Sequence, residues 1–318
     1  MSGVLRKAAD VSRYLVLPAL FAVFIAIMLT HGPALNAWLP HWDALMMIGT
    51  VTLVERVYTY KNRVSQRGVF VRDVTSTFVN VFLTGAALAF VVLPLLDSAM
   101  RRTIGRKYFF EADTLGPVWL QVVTIVLVIS FFRYWIHRLQ HHNEFLWSLH
   151  SYHHSVTDLR AMNDFTSNPV DFALRNVLIY LLLSPIGFDS TAFFIAFPML
   201  AIWGVFSHCG AEVKGGWLNY VFAMPEVHRW HHTSVVPEGY SYSVNYGVEL
   251  SFWDLLFGTY YAPGKDGQIM APRIGHPGGL PDEPNYLKVL LVPFGLYGIV
   301  SRLGRVLPGR AKDQMPAE

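Results

Sequence analysis

Two long runs of this sequence contain no charged residue. Thr77–Leu96 extends over 20 residues and Leu115–Phe132 over 18 without an Asp, Glu, Lys or Arg. A helix needs about 20 apolar residues to cross the roughly 30 Å hydrocarbon core of a bilayer. Because lipid offers the backbone no hydrogen-bond partner, a spanning segment must satisfy its own peptide groups as a helix. The two runs therefore predict membrane-spanning helices.

Two further apolar runs lie nearer the N-terminus. Tyr14–Thr30 is uncharged, and Ala44–Tyr60 carries its only charges, Glu55 and Arg56, near its end. Of all residues, 53% are hydrophobic and 15% are charged, whereas about a quarter are charged in soluble domains. We therefore expect an all-α membrane protein with about four transmembrane helices.

Shorter apolar runs lie downstream. Asn176–Phe188 and Ser190–Phe206 are separated by Asp189, and we expect them to form a short helical hairpin that enters and leaves on one face. Tyr286–Val300 is amphipathic to apolar and too short to span a bilayer. We expect an interfacial helix there.

The distribution of basic residues predicts the orientation. The loop at 61–72 contains four basic residues, whereas the loop at 31–42 contains none. Under the positive-inside rule, the N-terminus and the loop at 61–72 are cytoplasmic, and counting spans places residues 137–154 on the same side. Four basic residues between 101 and 107 would then be external, which runs against the rule. We expect a multi-pass protein with its histidine-rich segments, a helical cap, in the cytoplasm.

Histidine is concentrated in the segment 137–154, HRLQHHNEFLWSLHSYHH, which holds six of the 13 histidines. The segment contains a pair spaced i, i+4 and a triad spaced i, i+3, i+4, and EVHRWHH at 226–232 repeats the triad. Residues at these spacings share one face of a helix. The candidate site residues are His137, His141, His142, His150, His153, His154, His228, His231 and His232, with His208 between the clusters.

Several neutral imidazoles directed at one point are what a transition metal requires. A single buried histidine is more often a satisfied polar group, and we interpret His31, His41 and His276 in that way. A surface patch that senses pH is another alternative, but it needs no repeated spacing. Eight or more imidazoles are too many for one tetrahedral zinc ion. They suit two octahedral or five-coordinate ions with open positions.

Other metal and cofactor motifs are absent from the sequence. It contains neither the Glu-x-x-His of soluble di-iron bundles nor the His-Glu-x-x-His of zinc proteases. Cys209 is the only cysteine, which excludes an internal disulfide and a thiolate cluster. An all-nitrogen site at a membrane face favours dioxygen activation and attack on a lipid C–H bond. A separate electron donor is then needed, because no haem, iron–sulfur or dinucleotide motif is present. A net charge of +3 without a basic block argues against nucleic-acid binding.

The motifs HRLQHH, HSYHHS and HRWHHT, on a chain with several spans, resemble the fatty acid hydroxylase/sterol desaturase superfamily of membrane di-iron enzymes. FSHCGAEV around His208 is similar to that family's single-histidine segment, and residues 245–263 are similar to its closing segment. The resemblance covers roughly residues 120–263. Many members carry a histidine before a proline after the second cluster, where this chain has Asn168.

The resemblance implies a lipid hydroxylase or desaturase with two iron ions, dioxygen as co-substrate and a separate electron donor. The implied ligands are His137, His141, His150, His153, His154, His228, His231 and His232, with His208 as a further ligand. His142 is either a ligand or a hydrogen-bond partner of one. We divide the chain into N-terminal transmembrane helices at 1–114, a catalytic domain at 115–263 and a C-terminal interfacial helix and tail at 264–318.

Two other classes of protein stay open. A metal transporter or sensor would place ionisable ligands at mid-membrane depth, and a zinc-dependent membrane hydrolase would need a carboxylate base and fewer histidines. A ligating histidine usually donates its other N–H to a carboxylate or a carbonyl. Candidate partners close to the clusters in sequence are Asp158, Asp164, Glu212, Glu226 and Asn245.

Overall fold

The structure is a computed structural model. The residues it describes are 42–57, 67–105, 108–211, 213–240, 243–262, 271, 273–278 and 280–296, with six isolated positions between 19 and 30. The predicted span Tyr14–Thr30 lies outside the described residues apart from those positions, and His31 and His41 lie outside them as well.

The described residues form helices connected by loops and 3-10 turns. The helices are α1 (Trp42–Val57), α2 (Gly68–Thr103), α3 (Val118–His142), α4 (Glu144–His150), α5 (Pro169–Leu183), α6 (Ser190–Ser207), α7 (Pro225–His231), α8 (Phe252–Phe257) and α9 (Tyr286–Val289). Within this part of the chain, extended pairing is limited to two isolated bridges. The predicted all-α class is confirmed.

Three of these helices, α2, α3 and α6, are long and apolar enough to cross a membrane by length and composition. The predicted run Thr77–Leu96 lies inside α2, which extends beyond it at both ends. The predicted run Leu115–Phe132 begins before the observed helix, because Pro117 is extended and α3 starts at Val118. Ala44–Tyr60 corresponds to α1, whose 16 described residues are fewer than the roughly 20 that a span needs.

The first part of α2 carries several polar side chains that are buried. Ser76 Oγ and Asn80 Nδ2 donate to the carbonyl oxygen of Phe165, at 2.9 and 2.8 Å, and Asn80 Nδ2 also donates to that of Ser167. Arg72, which we counted as part of a loop, is fully buried in this helix and paired with Asp73. These bonds attach the connection that follows the second histidine cluster to the membrane helices.

The two helices of the predicted hairpin are α5 and α6, joined by a short loop, but α5 begins at Pro169 rather than at Asn176. Asn168 caps this helix, since its Oδ1 accepts from the backbone N–H of Val170 at 2.9 Å. The hairpin packs on α3 through a buried apolar cluster of Ile125, Ile129, Ile179, Leu183, Ala192, Ala196 and Leu200. Small residues such as these alanines allow helices to approach closely.

The C-terminal segment differs from the predicted interfacial helix over 286–300. Its described part contains only the four-residue helix α9 and a 3-10 turn at Val292–Phe294. Pro293 has no N–H to donate to a helix, and Gly295 adopts a left-handed φ of 67°. Residues 297–300 lie outside the described residues.

Candidate metal centre

Nine of the ten candidate histidines come together in two groups. Group A consists of His137, His141, His150, His154 and His231, and group B of His153, His208, His228 and His232. Within each group the candidate ligand atoms lie within 4.8 Å of one another. The rings of His154 and His232 stack with centroids 4.4 Å apart, so the two groups are neighbours.

Each triad supplies both groups. The spacing predicted that a triad shares one helical face, but only its i, i+4 members stay together. His150 and His154 belong to group A, whereas His153 belongs to group B, and α7 shows the converse arrangement. Neighbouring positions on a helix differ by about 100°, and His153 begins a 3-10 turn that changes the register. The members of each triad therefore lie in one site but belong to different groups, and this division links the two groups.

The ring nitrogens in each group are close together. Two Nε2–Nε2 pairs in group A are separated by 3.1 and 3.2 Å, and three pairs in group B by 3.0, 3.1 and 3.2 Å. With metal–nitrogen bonds of about 2.1 Å, neighbouring ligands are about 3.0 Å apart in an octahedron and about 3.4 Å apart in a tetrahedron. Ring nitrogens at such separations can bind the same ion.

Hydrogen bonds at Nδ1 determine where the lone pairs point. Nδ1 of His208 lies 2.8 Å from the carbonyl oxygen of Gly204, and Nδ1 of His153 lies 3.2 Å from that of Thr166. A neutral ring that faces a carbonyl carries its proton on that nitrogen. The Nε2 atoms of the two rings, 3.1 Å apart, therefore present lone pairs to each other. Such a contact is repulsive unless a cation lies between them, so these residues fit a metal ion.

Burial keeps the imidazoles outside the membrane-spanning helices neutral. Desolvation lowers the pKa of His231 to about 3, and it lowers the pKa of other rings well below the ordinary value: His150, His153, His154, His228 and His232. Repulsion from neighbouring imidazoles adds to this shift for the second set. The neutral ring is the form that binds a metal ion.

The loop at 244–247 orients one ring of α3 and one of α7. Asn245 has a positive φ of 57°, unlike any other non-glycine residue in the described part of the chain. Its side-chain amide donates to the carbonyls of Val227 and Tyr261. The carbonyls of the residues before and after it accept from His231 and His137, at 2.8 Å in both cases. Asn245 thus acts on the histidines through the backbone.

Asp254 holds the same loop. Its carboxylate accepts from the backbone N–H groups of Tyr246 and Gly247 and from the hydroxyl of Thr259, each at 2.7 Å. Burial raises the pKa of this carboxyl to about 6. Nothing in the sequence near the histidines indicated Asp254, because it reaches the site only through the backbone of the loop.

Asp171 is a second partner that sequence reasoning missed. It is fully buried in the first turn of α5. It accepts a hydrogen bond from Gln140 Nε2, and its Oδ2 lies 3.3 Å from Nδ1 of His150. An acidic residue just after an Asn-Pro helix start was the available signal, since Asn168 caps the helix that carries it.

The other predicted residues have different partners. His142 lies outside both groups, exposed, with its Nε2 3.3 Å from the hydroxyl of Tyr246. Asp164 lies 3.6 Å from Nδ1 of His208. Glu226 accepts from Gly215 instead of a histidine. Asp158 pairs with Arg160, and Glu212 lies outside the described residues.

A cavity of about 750 Å³ opens onto the histidines and continues between α2, α5 and α6. Histidines of both groups line one end: His137, His150, His153, His208 and His228. Apolar side chains line its middle, among them Leu88, Leu93, Ile179, Leu183, Phe197 and Leu200. The cavity therefore joins an imidazole-rich end to a long apolar channel, which suits a chain-like apolar ligand.

Comparison with known proteins shows which families and enzymes this sequence resembles. Residues 122–259 match the family model described as fatty acid hydroxylase. The chain is 32% identical to an ornithine lipid hydroxylase of Rhizobium tropici over 193 residues, which are 59% of this chain and 55% of the relative. It is 26% identical to a Delta(7)-sterol 5(6)-desaturase of Gibberella zeae, over 49% of this chain and 46% of the relative.

A third relative is sphinganine C4-monooxygenase 1 of Arabidopsis thaliana, at 28% identity over 44% of this chain and 54% of the relative. The chain spans about half the length of the curated relatives it matches. No solved structure matches it.

The described residues combine three helices that are long and apolar enough to span a membrane with two groups of histidines. The match of residues 122–259 and the similarity to these relatives support the predicted resemblance to the fatty acid hydroxylase/sterol desaturase superfamily.

Proposed function

We propose that this protein is a membrane-bound di-iron oxygenase that hydroxylates or desaturates a C–H bond of a lipid, with dioxygen and externally supplied electrons. The observation that carries the proposal is the pair of imidazole groups at the end of an apolar cavity. The relatives, which are hydroxylases, desaturases and monooxygenases, support the same class of reaction.

The nine histidines of groups A and B are the proposed ligands of two iron ions, and His142 is left out of this set. Iron bound there supplies the activation of dioxygen. Neutral imidazoles would leave the charge of such ions uncompensated. The separations of 3.0–3.2 Å between Nε2 atoms support binding of one ion by neighbouring rings of each group.

The chain itself holds the rings and the substrate. Asp171 and the carbonyls of the loop at 244–247 fix the Nδ1 protons of three rings, so that the rings of His150, His231 and His137 present their Nε2 lone pairs. The apolar channel binds the hydrocarbon part of the lipid. Burial of the rings of both groups excludes water from the reacting carbon, which suppresses competing reactions.

We also propose a multi-pass protein with the metal centre on the cytoplasmic side, where a separate reductase or electron carrier has access. The excess of basic residues in the loop at 61–72 over the loop at 31–42 supports this orientation. The division into segments 1–114, 115–263 and 264–318 belongs to the same proposal.

The test is oxygen incorporation. Purified protein is reconstituted in vesicles of bacterial or fungal total lipid, with a ferredoxin, its reductase and NADPH, under isotopically heavy dioxygen. We expect mass spectrometry to find either a lipid with the heavy isotope or a lipid that has lost two hydrogens. His228→Ala removes the product, and His276→Ala, a histidine outside both groups, retains it. Absence of both products from both extracts contradicts the proposal, as does product that survives in His228→Ala.

A further inference from the structure

The end of the cavity next to the histidines carries charged and polar groups that the proposed chemistry does not use. Arg175 lies in the second turn of α5 and lines the cavity with 31% of its side chain exposed. Its Nε lies 3.4 Å from Asp171. The two terminal nitrogens of its guanidinium group have no hydrogen-bond partner among the residues that the structure describes.

A second polar group faces the same space. Gln140 is only 1% exposed and donates its Nε2 to Asp171, but its Oε1 has no partner among the described residues. Gln140 also lines the cavity. A buried polar atom without a partner costs about 1–3 kcal/mol. Because Gln140 Oε1 has almost no accessible surface, the terminal guanidinium nitrogens of Arg175 are the groups that a polar ligand in the cavity can reach.

Arg175 lies beside the proposed metal ligands, and its ion pair with Asp171 engages only Nε. Arg175, His150 and His153 line the same cavity. A fixed cation beside a site that binds metal cations is repelled by them. Arg133, the other arginine at this end, is already neutralised by Glu249. An anion bound at Arg175 would remove this repulsion.

We propose that the cavity binds a lipid with an anionic group, a carboxylate or a phosphate, and that Arg175 pairs with this group beside the metal centre. The inference rests on the proposed oxygenase function and specifies its substrate class. Because the apolar channel leads away from the histidines, the hydrocarbon tail lies in the channel and the charged end lies at the metal. The oxidised carbon is then within a few bonds of the anionic group rather than far along the tail.

The test measures binding under nitrogen, so that it requires neither electrons nor turnover. The probes are dodecyl phosphate, dodecanoate and uncharged dodecanol, titrated calorimetrically into the full-length protein as purified in an uncharged detergent. We expect one or both anionic probes to bind about tenfold more tightly than dodecanol or better. The tighter of the two identifies the anion as phosphate or carboxylate. Equal affinities for all three probes contradict the proposal without any variant.

Substitutions then locate the preference. Arg175→Met weakens binding of the preferred anion about tenfold or more and leaves dodecanol unchanged. Arg175→Lys keeps the charge, retains part of the preference and serves where the Met variant does not fold. Arg102→Met is the control. It removes an exposed arginine near the C-terminal end of α2, and we expect it to bind the probes like the unaltered protein. Equal weakening for anion and alcohol in Arg175→Met, or no weakening, contradicts the proposal. Iron content, measured in parallel, reports separately on the oxygenase assignment.

Discussion

Asn245 shows how one residue can control a site that it does not touch. Its left-handed φ of 57° turns the carbonyls on either side of it towards two histidines from different helices. The sequence placed Asn245 near the last cluster and suggested a partner of a ligand, but not through the backbone. The helical spacing of the histidines predicted which residues meet, but not their division into two groups, because each group combines residues from segments far apart in the sequence.

Replacement of Asn245 separates the backbone conformation from the side chain. Asn245→Ala places a β-carbon in the left-handed region, at about 1–2 kcal/mol, and removes the amide bonds to Val227 and Tyr261. We expect metal affinity to fall about ten- to hundredfold, measured by competition with a chelator. Asn245→Gly keeps the φ value and should lose less. Equal affinities in both variants and the unaltered protein would exclude the orienting role.

At the scale of elements, the apolar runs predicted where α2, α3 and α6 lie, but not where α2 and α5 begin. Both helices start with polar residues that become buried, such as Arg72 and Asp171. In the sequence, a charged residue at the start of such a helix looks like a loop residue. The start of α5 follows from local chemistry instead, with Asn168 as the N-cap and Pro169 in the first turn.

The structure makes Asn168 a helix cap rather than a substitute metal ligand. Asn168→Ala removes the bond to the N–H of Val170 and should lower the free energy of unfolding by about 1 kcal/mol, whereas Asn168→Asp preserves the cap. Asn168→His, which introduces the residue found in many relatives, should destabilise the protein without adding metal. Thermal unfolding and metal content measure both effects. A rise in bound metal in the His variant would show that this position faces the centre.

At the scale of the whole molecule, contacts between distant segments join α2, the segment after the second histidine cluster and the C-terminal part of the described chain. Arg72 of α2 binds Asp282, which also accepts from the hydroxyl of Thr157 at 2.8 Å. Residues more than 100 positions apart in sequence meet here, and no local pattern predicts such pairs. The candidate site could be predicted because the spacing of its histidines is local, whereas these contacts between distant segments could not.

Burial of many neutral histidines predicts acid lability. The pKa of His231 is lowered to about 3 from an ordinary value of 6.5, so the unfolded chain binds protons below pH 6.5 that the folded chain does not. Stability is therefore complete above pH 6.5 and falls as the pH drops towards 3, by about 1.4 kcal/mol per pH unit for each such histidine. Thermal unfolding of chelator-treated protein in detergent between pH 7.5 and 5 measures this.

The matched variant for this experiment is His231→Gln, which should show a shallower decline with acid. A midpoint independent of pH in the unaltered protein would mean that the rings are not buried in neutral form.

Iron content of the purified protein tests the central claim most directly, with one variant for each group. His231 belongs to group A and His153 to group B, although each lies in a triad dominated by the other group. The structure predicts about two iron ions per chain in the unaltered protein and in His142→Ala, whose ring is exposed. It predicts loss of iron in both His231→Ala and His153→Ala. An iron content that neither substitution changes, or an equal loss in His142→Ala, would contradict the two-group metal centre.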